Sequence, residues 1–399
     1  MRSLSAIPLV ILTTLAIQPA DAEDFDRWSN AARYEFEYRV DLSSIDSRGG
    51  QRGRLWIPMP ADTRDQEVLS VVVESPLPHR EQRDALGNRI ASIDWEGQAP
   101  QGEIVFLYTV QRMPSSGIPA DAVSAPYDAP DRYLQPTKKI PLDGMIAKLG
   151  AQEARGASSD AAKIRAFYDY VYANMRYAKN GTGWGQGDAI WACTEKYGNC
   201  TDFHSLLMGM ARSQGIPARF VIGFPIPHDR TEADIGGYHC WAQAWDPTRG
   251  WLPMDASEAW KSKQADAFFG KLPNDRIAFT VGRDLVLNPA QRGGPLNYFI
   301  YPYAEVAGQP VEGIRKSFRF RRVGTRARSR TPERSPVTSQ ANPEDSPARR
   351  DRTGPDAAKQ IRRIRTPDGA EQVPTPQSKS VGFARQTGPN RSRRSKANP

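Results

Sequence analysis

Gly198-Asn199-Cys200-Thr201-Asp202-Phe203-His204 sets a cysteine in the first turn of a predicted helix. The run behind it, Ser205-Leu206-Leu207-Met208-Gly209-Met210-Ala211, carries Phe203, Leu206, Leu207 and Met210 on one face at helical spacing. Gly198 lets the chain turn sharply before the helix begins. Unpaired N–H groups at a helix start favour negative charge, so a thiol held there ionises more easily than a free one and becomes a competent nucleophile. Asp202 supports the same helix end electrostatically.

A base and a carboxylate to orient it follow in order. Tyr238-His239-Cys240-Trp241-Ala242-Gln243-Ala244-Trp245 alternates like a strand, which places His239, Trp241, Gln243 and Trp245 on one face. Asp246-Pro247-Thr248-Arg249-Gly250 has the composition of a turn, and Trp251-Leu252-Pro253-Met254-Asp255 reads as a second short strand. Such a hairpin holds His239 beside Asp255, with Asp255 fixing the imidazole tautomer. Asp246 is the alternative carboxylate, or a cap for the turn. His204 competes as base from one helical turn below Cys200, but it lies deeper than the activated end and is read as a buried hydrogen-bonding histidine.

The chain resembles the transglutaminase-like superfamily, in its bacterial exported branch. The residues that carry the resemblance are Tyr197 to His204, Gly215-Ile216-Pro217-Ala218-Arg219, Gly237-Tyr238-His239-Cys240-Trp241, and Trp251 to Asp255. It covers roughly residues 150–260, with flanking likeness at Leu55-Trp56-Ile57-Pro58-Met59-Pro60 and Asn297-Tyr298-Phe299-Ile300-Tyr301-Pro302. It implies a Cys200–His239–Asp255 triad on an α+β, papain-like core. There the cysteine helix packs on an antiparallel sheet.

Composition sets the address and the limits. At 399 residues the chain buries one sizeable core or two. Arg2, the apolar run Ala6 to Ile17 and Ala20-Asp21-Ala22 read as a signal peptide over residues 1–22, cleaved after Ala22. The apolar run is short for a bilayer span, so a periplasmic or secreted protein that does not span the membrane is expected. Three cysteines leave one over in an oxidising compartment. If Cys200 stays reduced, Cys193 and Cys240 either pair as a disulfide or remain buried free thiols, and the second reading is preferred. Residues 324–399 hold 17 Lys+Arg against 7 Asp+Glu, a net of +10, so the tail carries all of the basic excess and the rest of the chain has a net charge of −1.

The predicted order is a signal peptide (1–22), an all-β sandwich-like domain (25–115), a proline-rich connector (116–145), the catalytic domain (146–322) and a disordered basic tail (323–399). Strands are expected over residues 34–40, 54–59, 68–74, 89–95 and 103–111, with turns such as Gly87-Asn88 between them. A helix is expected from Ser159 to Arg176, capped by Ser158 or Ser159. Further strands are expected at Ala218 to Phe224, Ile277 to Val281 and Tyr298 to Val306, the last two closing the catalytic sheet. From Gly324 the chain has one aromatic and ten prolines, too little apolar surface to offset ordering entropy.

The glycine-rich segment Asn180 to Gly187 lacks a phosphate-loop pattern and reads as groove-shaping, with Gln186 or Trp184 supplying an oxyanion donor beside the Cys200 N–H. Trp191, Trp241 and Trp245 are core or groove lining. A metal site from Cys193, Cys200, His239 and Cys240 lacks Cys-x-x-Cys spacing, and no Asp-x-Asp-x-Asp-Gly calcium loop occurs, so neither metal nor cofactor is expected. The tail has no interleaved aromatics and no folded nucleic-acid motif. Anionic envelope polymers or lipid head groups suit its charge better, and a solubilising tail with no partner is the competing reading. The function expected is an exported cysteine enzyme acting on a peptide or protein amide through a thioacyl intermediate, by hydrolysis or transamidation. The alternative is a non-catalytic envelope binding or scaffold protein on the same fold.

Overall fold

The computed structural model describes residues 26–123 and 126–324. The predicted signal peptide lies outside the described residues, as does the basic tail from residue 325 onward. The elements run β1 (Ala32–Asp41), β2 (Gly53–Met59), β3 (Gln66–Glu74), β4 (Arg80–Arg83), β5 (Arg89–Trp95) and β6 (Glu103–Arg112). Then follow α1 (Gly144–Glu153), α2 (Asp160–Asn174), β7 (Arg176–Tyr177), α3 (Ala189–Glu195), β8 (Tyr197–Gly198), α4 (Cys200–Ser213), β9 (Ala218–Pro225) and β10 (Glu232–Asp234). The described chain closes with β11 (His239–Asp246), β12 (Gly250–Met254), α5 (Ala256–Ser262), β13 (Arg276–Val281), β14 (Tyr303–Val306), β15 (Gln309–Val311) and β16 (Arg315–Val323). The fold is α+β with antiparallel main sheets.

Alternation builds the first half as expected. In β1, Tyr34, Phe36, Tyr38 and Val40 are buried while the intervening residues are half-buried, so one face supplies core and the other meets solvent. β1 is central in the sheet β10-β16-β1-β6-β3, and β2 is central in the sheet β15-β14-β2-β5-β4. The strands after residue 300 therefore join sheets begun near the N-terminus. The segment expected to close the catalytic sheet at Tyr298 to Val306 is a strand only over β14, which pairs with β2 rather than β13. β16 had a weak apolar signature in the sequence, with Phe318, Phe320 and Val323 set in a run rich in arginine. Its register against β1 gives the reason it forms. Arg321 pairs with Glu35 and Arg315 with Asp41 across the strands, while Phe320 faces Phe36.

The sheet that carries His239 has the order β12-β11-β9-β13. One face carries α4, whose residues Phe203, Leu206, Leu207 and Met210 are fully buried. Each such side chain contributes about 1.5–3 kcal/mol on burial. On the sandwich side, Phe36 and Tyr38 of β1 pack on Phe224 and Phe279. α4 is thus held against a sheet that the sandwich supports. Helix α2 starts where expected, with the Ser159 hydroxyl accepting from Ala162 N at 3.2 Å. It ends at Asn174, two residues early, because Met175 turns extended and Arg176 pairs with Tyr197 as the β7–β8 bridge.

Gly198 is the hinge into α4. Its φ is +148°, and a Cβ built there falls 2.3 Å from Asp202 Oδ2. Gly198→Ala is expected to cost about 3 kcal/mol from backbone strain and displacement of Asp202, lowering Tm by roughly 6–10 °C. Scanning calorimetry checks this, and an unchanged Tm would show that the helix start tolerates a moved Asp202.

Candidate active site

Cys200 is the first residue of α4, behind the N-cap Asn199. The Asn199 side-chain oxygen accepts from Thr201 N at 2.9 Å, and the Asp202 carboxylate accepts from Asn199 N at 2.9 Å, closing a capping box. The same carboxylate accepts from Gly185 N at 2.6 Å and Gly187 N at 2.9 Å. Asp202 therefore pins the glycine-rich loop to the start of α4, beyond the electrostatic role read from sequence. Burial pushes its carboxyl up, and the three N–H donors only partly offset this.

His239 opens β11, and Asp255 follows β12 as the N-cap of α5. His239 Nε2 lies 2.6 Å from Asp255 Oδ2. With Nε2 engaged by Asp255, Nδ1 is the nitrogen left for the thiol. Cys200 and His239 are 2% and 5% exposed, and Asp255 is fully buried. The Asp255 oxygens are saturated: Oδ1 accepts from Glu258 N and Ser257 Oγ, each at 2.9 Å, and Oδ2 also accepts from Arg276 Nη1 at 2.9 Å.

Charge follows from these contacts. Burial opposes ionisation of the Cys200 thiol, but hydrogen bonds from Cys240 and His239, with the His239 charge, hold it well below the usual thiol range. Burial lowers His239, yet Asp255 and the Cys200 thiolate override it and push the imidazole up to about 10. Burial raises Asp255, and His239 and Arg276 more than reverse this, holding the carboxyl well below its ordinary value. These shifts all favour a thiolate–imidazolium pair backed by a carboxylate.

The remaining sequence candidates fall into place around it. His204 is fully buried, with Nε2 3.6 Å from Asp255 Oδ1 and Nδ1 3.7 Å from Cys240 Sγ. Burial lowers its pKa, so it sits neutral behind the pair. Asp246 Oδ1 accepts from Thr248 N and Arg249 N and caps the β11–β12 turn. All three cysteines are free, Cys193 half-buried on α3 and Cys240 buried. Among the described residues the grouping of possible metal ligands is His239, Asp255 and Glu258, rather than the cysteine set that residue type suggested. Its Asp255 oxygens already carry the donors named above.

Gln186 and Trp184 lie on the loop that Asp202 holds. The Gln186 carbonyl accepts from Asn297 Nδ2 at 2.8 Å and its side chain is exposed, while Trp184 is half-buried. Sequence reasoning missed Arg276, Arg283, Tyr238 and Tyr298. Arg283 is buried and donates to Ser205 Oγ at 2.7 Å and the Gly187 carbonyl at 3.0 Å. The Tyr238 hydroxyl meets Thr201 Oγ1 at 3.0 Å and accepts from Asn199 Nδ2 at 3.1 Å. Tyr298 donates to the Gly185 carbonyl at 3.3 Å. The signal for two of them was present in Gly237-Tyr238-His239 and Asn297-Tyr298, segments singled out for resemblance but given no role.

A cysteine helix on an antiparallel sheet, with a histidine opening one strand and an aspartate just past the end of its neighbour, defines a papain-like core. Residues 147–256 match the transglutaminase-like superfamily. An uncharacterized protein of Haemophilus influenzae is 25% identical over 336 residues, which span 73% of this chain and 91% of that protein. An uncharacterized protein of Mycobacterium leprae is 33% identical over 136 residues, 31% of this chain and 44% of that protein. A crystal structure of a candidate cysteine protease from Cytophaga hutchinsonii shares the fold, with a TM-score of 0.51 at 18% identity, over 74% of this chain and 92% of that one. Among the described residues no helix is long and apolar enough to cross a membrane.

Proposed function

We propose that this protein is an exported cysteine enzyme that opens amide or peptide bonds through a thioacyl intermediate. The observation that carries the reading is the His239 ring, held 2.6 Å from the buried Asp255 carboxylate on a strand that packs against the helix opened by Cys200. The Cys200 thiolate attacks the carbonyl, and the imidazolium formed with it protonates the leaving amine. The thioacyl group then passes to water or to an amine, with His239 taking the acceptor's proton. Asp255 keeps the ring in one tautomer and orientation. The oxyanion is assigned to the Cys200 N–H, which has no intrahelical partner at the first helical position, with a second donor from Gln186 or Trp184. Export rests on the signal-like residues 1–22, and the basic tail is assigned to anionic envelope polymers.

Intact-mass spectrometry after brief treatment with a carbonyl-directed thiol electrophile at pH 6 tests the reading. The expected result is a single adduct on wild type, mapped to Cys200, and none on Cys200→Ser. Slow labelling shared among the three cysteines would assign the fold to a binding protein instead.

A further inference from the structure

We propose that Cys240 is a resolving thiol for Cys200: when a peroxide oxidises the nucleophile, the two sulfurs close a reversible disulfide. From sequence, any cross-link left Cys200 out and joined Cys193 to Cys240. The fold instead brings Cys240 to the nucleophile. Its sulfur lies 3.8 Å from Thr201 Oγ1 and 3.7 Å from His204 Nδ1, the residues one and four positions beyond Cys200 on the same helix end. Cys240 is thus seated against the helix end that Cys200 opens. Adjacent strand residues ordinarily point apart, and here His239 turns to Asp255 while Cys240 turns to Thr201 and His204 on the helix that Cys200 opens. Both thiols are buried, so a partner of peroxide size is favoured over a bulky disulfide reagent.

The chemistry balances without further reagents. The Cys200 thiolate attacks one peroxide oxygen, the O–O bond breaks, and the departing hydroxide takes a proton from His239 to leave as water. The Cys240 sulfur then attacks the Cys200 sulfenic acid, an S–S bond forms, and the Cys240 proton leaves with hydroxide as a second water. Two electrons pass from the sulfurs to peroxide, and an external dithiol reverses the step. Closure spares Cys200 from the irreversible sulfinic and sulfonic states. An enzyme working outside the reducing cytosol gains most from such protection.

The inference rests on a reactive Cys200 thiolate. Reduced full-length protein, treated with a few equivalents of hydrogen peroxide and quenched with N-ethylmaleimide, tests it by mass. In wild type the Cys200 and Cys240 peptides should be linked and together about 2 Da lighter, and should regain both thiols with dithiothreitol. Cys240→Ala should instead gain about 32 or 48 Da at Cys200, which dithiothreitol does not remove. Cys193→Ala should behave like wild type. Should Cys240→Ala fail to fold, the linked wild-type peptide alone decides. Rapid alkylation of reduced Cys200 without any linked peptide would overturn this inference and leave the acyl-transfer reading standing. Slow alkylation of reduced Cys200 would overturn both.

Discussion

His239→Ala is expected to abolish the low-pH reactivity of Cys200 while leaving the protein folded. With the imidazolium in place, alkylation of Cys200 should change little between pH 6 and 9. Without it, the rate should fall about tenfold per pH unit below the ordinary thiol pKa of about 8.5. Amide turnover should drop on the order of 10³-fold, the loss typical of a missing general acid–base. Folding should survive because Asp255 keeps Arg276, Ser257 and Glu258 N as partners. Parallel pH profiles for the two proteins would show that His239 does not ionise the thiol.

The same pair sets a pH dependence of stability. His239 is raised, to about 10, so its contribution is full below the unfolded value of about 6.5 and fades as pH rises toward 10. Cys200 is lowered, so its contribution is full above the unfolded thiol value and fades as pH falls. Between about pH 6.5 and 8.5 the folded and unfolded pairs each hold one proton, and the two trends cancel. Tm of wild type relative to His239→Ala should therefore be flat in that window and decline on both sides.

Asp255→Ala should remove both activity and a large part of the stability. Arg276 is 3% exposed and Asp255 fully buried, so the substitution strands a buried guanidinium. Breaking such a pair costs about 3–5 kcal/mol, and loss of the α5 N-cap adds about 1 kcal/mol. Tm should fall on the order of 10 °C. Because Asp255 is held below its ordinary range, its contribution is full above about pH 3.9 and is lost as pH falls through the folded value. The Asp255→Ala penalty should therefore shrink in acid. Asp255→Asn with Arg276→Met separates the roles, since removing both charges should recover much of the stability without restoring turnover. Recovery of turnover in that double variant would remove Asp255 from the triad.

The residues that carry the proposed chemistry were legible because their signals are local. Helical spacing behind Gly198-Asn199 put Cys200 at a helix start, and alternation put His239 on a strand beside the one that ends at Asp255. Capping and periodicity act over one or two turns of chain, so a single sequence displays them. The sandwich strands 54–59, 89–95 and 103–111 were legible for the same reason.

What lay beyond reach depends on contacts between residues far apart in the chain. β16 forms because its arginines meet Glu35 and Asp41 nearly three hundred residues away. Residues 303–306 joined β2, since a short strand takes whichever edge the packing presents. Arg276 as counterion of Asp255, Asp202 as anchor of the glycine-rich loop and Cys240 as neighbour of Cys200 have no mark in local sequence. Each answers the cost of burying a charge or a polar group, and only the packed chain fixes which groups are buried together.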